Sequence, residues 1–231
     1  MIILAPILTA VLSYLLGSCN SAIIAVRLLK HEDIRNFGSK NAGLTNTLRC
    51  FGKLPALLTL IGDLLKGVIA AFISIKLWEM LLGADFESVY LFDERAVGYL
   101  SGIFSILGHI FPIYYGFKGG KGVLVSCSIL LVIDPVTFCI VIPFFIVVVA
   151  ISRYVSLGSI LAACAYPVIT FFVHMFVYDV GLPRSILHTA MVMVTSALLI
   201  YMHRTNITRL KNGTENKFGQ KKKNQVPNDA Q

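Results

Sequence analysis

The chain is short of charge. Only 14% of its 231 residues are Asp, Glu, Lys or Arg, where an ordinary soluble domain carries about 25%, and 56% are hydrophobic. That balance excludes a soluble globular protein and leaves no room for a separate soluble domain. Several chemical signatures are missing too. The five cysteines (Cys19, Cys50, Cys127, Cys139, Cys164) are odd in number and lack metal-ligand spacing, so they read as small core residues and no metal site is expected. No Ser-His-Asp set is recognisable, no organic cofactor is indicated, no nucleic-acid motif occurs and no convincing internal repeat is present. Residues 2–16 have no positive flank before them and no small-residue cleavage site after them, which makes them a retained helix and not a signal peptide. The glycine- and lysine-rich stretch 116–123 is not a Walker A loop. Tyr115 stands where that pattern needs glycine, and neither Ser nor Thr follows Lys121.

What is present is a series of apolar runs of roughly 18 residues or more, the mark of an all-α integral membrane protein. About seven transmembrane helices are expected, some of them short. The first runs over 2–30 with an interruption at Gly17-Ser18, the second over 54–82 and the third over 96–115. Residues 122–151 form two short helices turning at Asp134-Pro135, because proline drives the preceding residue out of the α region. The last two cover 157–178 and 185–201. Asp63 and Lys66, three apart on one helical face, are expected to pair inside the bundle. Residues 1–218 make one membrane domain, and 219–231 a basic, disordered tail.

The net charge of +8 is unevenly placed. Arg27, Lys30, Arg35, Lys40, Arg49, Lys53, Lys118, Lys121, Arg153 and the tail collect on one side. The other holds mainly Lys76, Arg95 and Arg184 beside Glu79 and an acidic loop, 83–95, with Asp85, Glu87, Asp93 and Glu94. By the positive-inside rule the N-terminus is outside and the C-terminus cytosolic. Three polar stretches then share the cytosolic face. Residues 38–49, GSKNAGLTNTLR, offer turn formers and hydrogen-bonding side chains and end on Arg49, which can grip a phosphate or carboxylate through two bonds. Residues 108–122, GHIFPIYYGFKGGKG, place His109 in the membrane and four glycines with Lys118 and Lys121 beyond it. Such glycines let backbone N–H groups form an anion-binding nest, although a basic turn between helices would also carry this composition. Residues 203–218, HRTNITRLKNGTENKF, put His203 and Asn206 on one helical face, in a segment that an interfacial amphipathic helix would equally explain.

Taken together these stretches resemble the bacterial membrane acyltransferases that acylate glycerol 3-phosphate from an acyl phosphate, the PlsY type. That family carries a Gly-Ser element late in its first helix, then GSGN-x-GATN-x-x-R, GH-x-FP…FKGGKG-V and H-x-x-NI-x-RL-x-x-G-x-E-x-K. The corresponding residues here run in the same order: Gly17-Ser18, 38–49, 108–123 and 203–217. Lys40 and Leu44 depart from the usual Gly and Ala, Cys19-Asn20 from a frequent Ile-Pro, and Leu124-Val125 from Ala-Thr. The resemblance implies a seven-helix enzyme of the bacterial inner membrane with its active site facing the cytosol. It would make 1-acyl-glycerol 3-phosphate (lysophosphatidate) and phosphate, the first acylation of phospholipid synthesis, without a cofactor. Ser39, Arg49, Lys121, His203 and Asn206 are its expected catalytic residues. Gly38, Asn41, Gly43, Thr45, Asn46, His109, Lys118, Gly119, Gly120, Gly122 and Arg209 are the expected substrate contacts. In this scheme Ser39, Asn41, Thr45, Arg49 and the glycine-loop amides hold phosphate and Lys118 and Lys121 neutralise it. His109, His203 and Asn206 position the acceptor or the acyl carbonyl. The partners are the two substrates, membrane lipid and the enzyme that supplies the acyl phosphate.

The competing class is a transporter for phosphate or a small organic anion, which many helices and glycine-lined sites would suit; against it, the polar residues gather at one face and not at the midplane. A structural lipid-binding subunit would leave the three motifs unexplained. His174 and Asp179 form H-x-x-x-x-D, a spacing used by an unrelated acyltransferase superfamily, but they fall at the outer end of their helix, away from the basic face.

Overall fold

The computed structural model describes residues 1–83, 86 and 92–219, and the architecture among them is entirely helical. In chain order the helices are α1 (Leu4–Ser18), α2 (Ser21–Lys30), α3 (Leu44–Phe51), α4 (Lys53–Leu82), α5 (Glu94–Ile110), α6 (Val123–Ile133), α7 (Pro135–Ser152), α8 (Val155–Phe176), α9 (Leu182–Met202) and α10 (Arg204–Lys211), with 3₁₀ turns at Ile34–Asn36 and Ile113–Tyr115. Six stretches are long and apolar enough to cross a membrane, α1 and α2 counting together as one; α6, at 11 residues, is apolar but shorter. At 1.5 Å per residue α6 extends only about 16 Å, roughly half a bilayer core. Asp85 and Glu87 of the acidic loop, and the tail from residue 220, lie outside the described residues.

Small residues set the packing. α1 lies most extensively against α5, and a Cβ at Gly17 would strike the Ser105 carbonyl, as one at Gly108 would strike that of Tyr14. Close backbone approach through small residues is how membrane helices gain contact where lipid offers no hydrophobic drive. Buried hydroxyls tie the same region: Ser13 and Ser101 lie 2.9 Å apart, and Trp78 Nε1 donates to Thr9 Oγ1 at 3.0 Å. Large apolar side chains such as Phe72, Ile146 and Phe176 point outward, as they do where the solvent is hydrocarbon.

Several details differ from expectation. The first helix ends at Ser18 and the chain resumes as α2 at Ser21, so the interruption falls at Cys19-Asn20, directly after Gly17-Ser18, where Asn20 caps α2 by accepting from Ile23 N (3.1 Å). The polar stretch before α4 folds into α3. Cys19, Cys139 and Cys164 are exposed, not core residues; a small apolar side chain is as comfortable against lipid as inside. The turn at Asp134-Pro135 forms as read, with Asp134 capping α7 through Thr137 N (3.1 Å).

At the end of the bundle away from the basic stretches lies a closed polar network. His188 Nε2 lies 2.9 Å from Asp93 Oδ1 and His174 Nε2 lies 2.9 Å from Asp134 Oδ2. The two rings meet Nδ1 to Nδ1 at 2.7 Å, and Tyr99 donates to Asp134 Oδ2 at 2.8 Å. Both histidines are 0% exposed. His174 is thus a cross-brace between α5, the α6–α7 turn, α8 and α9, and its ring makes no contact of this kind with Asp179.

Candidate active site

The three polar stretches converge at one end of the bundle. Ala42 N donates to Gly119 O (3.5 Å) and Asn20 Nδ2 to Ala42 O (3.3 Å). Arg35 reaches across to the carbonyls of Tyr115 (2.6 Å) and Lys118 (3.2 Å) while its guanidinium grips Asp33 (2.7 Å). Hydrogen bonding from Arg35 holds the Asp33 carboxyl well below the usual carboxylate range. Lys121 donates to Asn206 Oδ1, joining the second stretch to the third.

Between them is a cavity of about 500 Å³. Its polar end is lined by Ser39, Asn41, Gly43, Thr45, Asn46, Arg49, His109, Lys121, Gly122, His203, Asn206 and Arg209, all expected from the sequence, together with Asp63 and Glu215. The remainder is apolar and runs along α6, α7 and α8. Gly38, Lys118, Gly119 and Gly120 are not among the lining residues. Lys118 is exposed. The amides of Gly119 and Gly120 donate to Ile110 O (3.1 Å) and His109 O (3.0 Å), so they satisfy carbonyls at the end of α5 and do not form the expected open nest. These glycines matter for closeness instead: a Cβ at Gly120 would collide with the His109 ring and the Ala42 carbonyl. Gly38, at φ +59°, makes room for the side chains of Asn46 and Cys50. Lys40 also adopts a left-handed φ, +60°, at the position where the family usually has glycine, and its side chain is exposed outside the cavity.

The polar groups divide into scaffold and free. Asn46 braces its own loop, donating to Phe37 O (3.0 Å) and Asn41 O (3.1 Å) and accepting from Ser39 N (3.0 Å). Glu215 is the residue that sequence reasoning missed, although it stands in the third motif. It accepts from Asn206 Nδ2 (2.7 Å), Ser156 Oγ (2.9 Å) and Arg209 Nε (2.6 Å), pinning α10 and the segment just after it to α8. Burial pushes its carboxyl up, but hydrogen bonds from Arg209, Asn206 and Ser156 outweigh it, and the net shift is downward. Arg49 has no ion pair among the described residues, and neither has Lys121. Burial lowers the Lys121 ammonium to about 8, with Arg209 adding to the effect and Glu215 opposing it.

The two cavity histidines are held in opposite tautomers. Lys66 Nζ, paired with Asp63 at 2.8 Å as expected, lies 2.7 Å from His109 Nδ1. An ammonium can only donate, so Nδ1 accepts and the ring proton sits on Nε2. His203 Nδ1 lies 2.7 Å from the Leu199 carbonyl. A carbonyl can only accept, so here the proton is on Nδ1 and Nε2 keeps a lone pair. Burial, reinforced by Lys121, pushes His203 down to about 4, leaving it neutral at physiological pH. The cavity therefore holds a donor histidine, an acceptor histidine and two cations that form no direct ion pair among the described residues.

The fold and this cavity define an integral membrane protein with a cationic cup opening into an apolar slot. The family model described as glycerol-3-phosphate acyltransferase matches residues 7–213, and the chain belongs to that family. A glycerol-3-phosphate acyltransferase of Chlorobaculum tepidum is 40% identical over 91% of this chain and 96% of its own. One of Clostridioides difficile is 41% identical over 95% and 98%. Among solved structures, PlsY (YgiH), an integral membrane glycerol 3-phosphate acyltransferase, in its glycerol 3-phosphate form aligns with a TM-score of 0.73 at 34% identity, covering 93% of this chain and 96% of that one. Its lysophosphatidic acid form aligns at 0.70 and 31% identity.

Proposed function

We propose that this protein transfers an acyl group from an acyl phosphate to the 1-hydroxyl of glycerol 3-phosphate, giving 1-acyl-glycerol 3-phosphate and inorganic phosphate, with its cavity open to the cytosol. The observation that carries the reading is the continuity of one cavity from cations held in no direct ion pair to an apolar slot. Both substrates bring phosphate and one brings a hydrocarbon chain. Arg49, with Ser39, Asn41 and Thr45, takes phosphate oxygens through charge-assisted bonds. Lys121, fixed by Asn206, neutralises the phosphate that departs. His109 Nε2–H donates to a substrate oxygen. His203 Nε2 accepts from the attacking hydroxyl and orients it. A nitrogen as weakly basic as that of His203 is a poor final proton acceptor. In this scheme the new ester C–O bond forms as the acyl–phosphate bond breaks, and the hydroxyl proton leaves on the departing phosphate, without a covalent enzyme intermediate. The collection of basic residues at this end supports a cytosolic orientation.

The test is purified protein in detergent, given a synthetic acyl phosphate and glycerol 3-phosphate. Lysophosphatidate and phosphate released in equal amounts are expected, since the reaction needs no sealed compartment, whereas transport does. Acyl-CoA and acyl carrier protein, assayed beside it, should fail as donors. Product formed only with acyl-CoA would sink the donor assignment.

A further inference from the structure

The apolar part of the cavity has a definite length and a definite end. α8 faces it with Ser156, Ser159, Ala162, Ala163 and Tyr166, one stripe at helical spacing. Ser156 marks the polar end, because its hydroxyl is bonded to Glu215. From there the stripe is small-sided for more than two turns and then meets a tyrosine. Ten residues separate Ser156 from Tyr166 in the helix, about 15 Å at 1.5 Å per residue. That is about half of a 30 Å hydrocarbon core, one leaflet's depth and so the length of one lipid chain.

The end is firm. Tyr166 is 4% exposed and packs in a cluster with Tyr99, Ile129 and Ile133. Tyr99 is fastened in turn by its hydroxyl to Asp134, so the saturated polar network stands behind the floor.

We propose that Tyr166 is the end stop of an acyl-chain slot and sets the longest donor the enzyme uses efficiently. This rests on the acyl-transfer reading above and deepens it: the donor class is an acyl chain about one leaflet long. Ala163, one turn nearer the polar end, sets the width through which the chain must pass.

The experiment measures kcat/KM for a series of saturated acyl phosphates, stepping two carbons at a time from chains well short of the slot to chains well beyond it. Wild type, Tyr166→Ala and Ala163→Leu are compared, each first shown to be monodisperse. Truncating the stop should raise the efficiency of the longest donors about tenfold relative to the wild-type optimum, and filling the slot should move the optimum to shorter donors by a similar factor. The KM for glycerol 3-phosphate should not follow chain length. If one variant does not fold, the other decides. A wild type that turns over, with both profiles superimposable on its own, overturns the end stop and leaves the acyl-transfer reading standing. A wild type inert with every chain length overturns both.

Discussion

Two clusters of ionisable side chains sit at opposite ends of this bundle, and they are built on opposite rules. The Asp93–His188–His174–Asp134 chain is closed: each imidazole nitrogen has a partner within 2.9 Å, and both rings are 0% exposed. The cluster around Arg49, Lys121, His109 and His203 is left incomplete, with two unpaired cations and two ring nitrogens facing a cavity. The first arrangement resembles a catalytic relay more closely on paper, yet it has nothing left to offer a substrate. Chemistry needs polar groups that the protein has buried without satisfying.

The sharpest way to break this comparison is to remove a charge at each end. Arg49→Met or Lys121→Met should lower turnover about 100-fold to 1,000-fold, as loss of a transition-state charge partner does, while the thermal midpoint in detergent holds or rises. Unchanged kcat/KM in both variants would refute the assignment. At the closed end, His174→Leu should cost about 3 kcal/mol or more by stranding Asp134 and His188, with kcat of the folded fraction unaltered; a large kcat loss at full stability would show that the network takes part in the chemistry.

A pH profile sharpens the contrast further. Lys121, lowered to about 8 by burial, is a cation below that pH and loses its charge above it. kcat/KM should therefore fall about tenfold per unit on the alkaline side, and that limb should move to higher pH in Lys121→Arg, whatever activity it retains. On the acid side no break is expected from His203 until about 4; a limb near 6.5 in kcat at saturating substrates that disappears in His203→Gln would contradict the neutral, acceptor form. The smallest effect concerns Lys40. Relieving its left-handed backbone with Lys40→Gly should stabilise the protein by about 1 kcal/mol and leave the KM for glycerol 3-phosphate nearly unchanged, because its side chain lies outside the cavity.

Much of the site was legible because motifs record local chemistry. Ser39, Arg49, Lys121, His203 and Asn206 all line the cavity. What misled was the glycine loop. GFKGGKG has the composition of an anion nest, but whether an amide is free depends on what lies across from it, and the end of α5 takes those of Gly119 and Gly120. Glu215 stands in the third motif, but its bracing role follows only from Arg209, Asn206 and Ser156, which surround it in the fold. The spacing of Asp63 and Lys66 predicts that Lys66 is half of an ion pair, and it is. That it also sets the tautomer of His109 could not be inferred from a separation of 43 positions.

By itself the sequence determined that this chain crosses a membrane as helices, where those helices turn and which stretches are polar. Run length, proline placement and capping residues act within a few positions of themselves, so they can be read along a line. Only the tertiary structure decided which polar groups became scaffold and which stayed open. Satisfaction of a buried donor or acceptor is a property of pairs, and here the partners come from helices far apart in the chain.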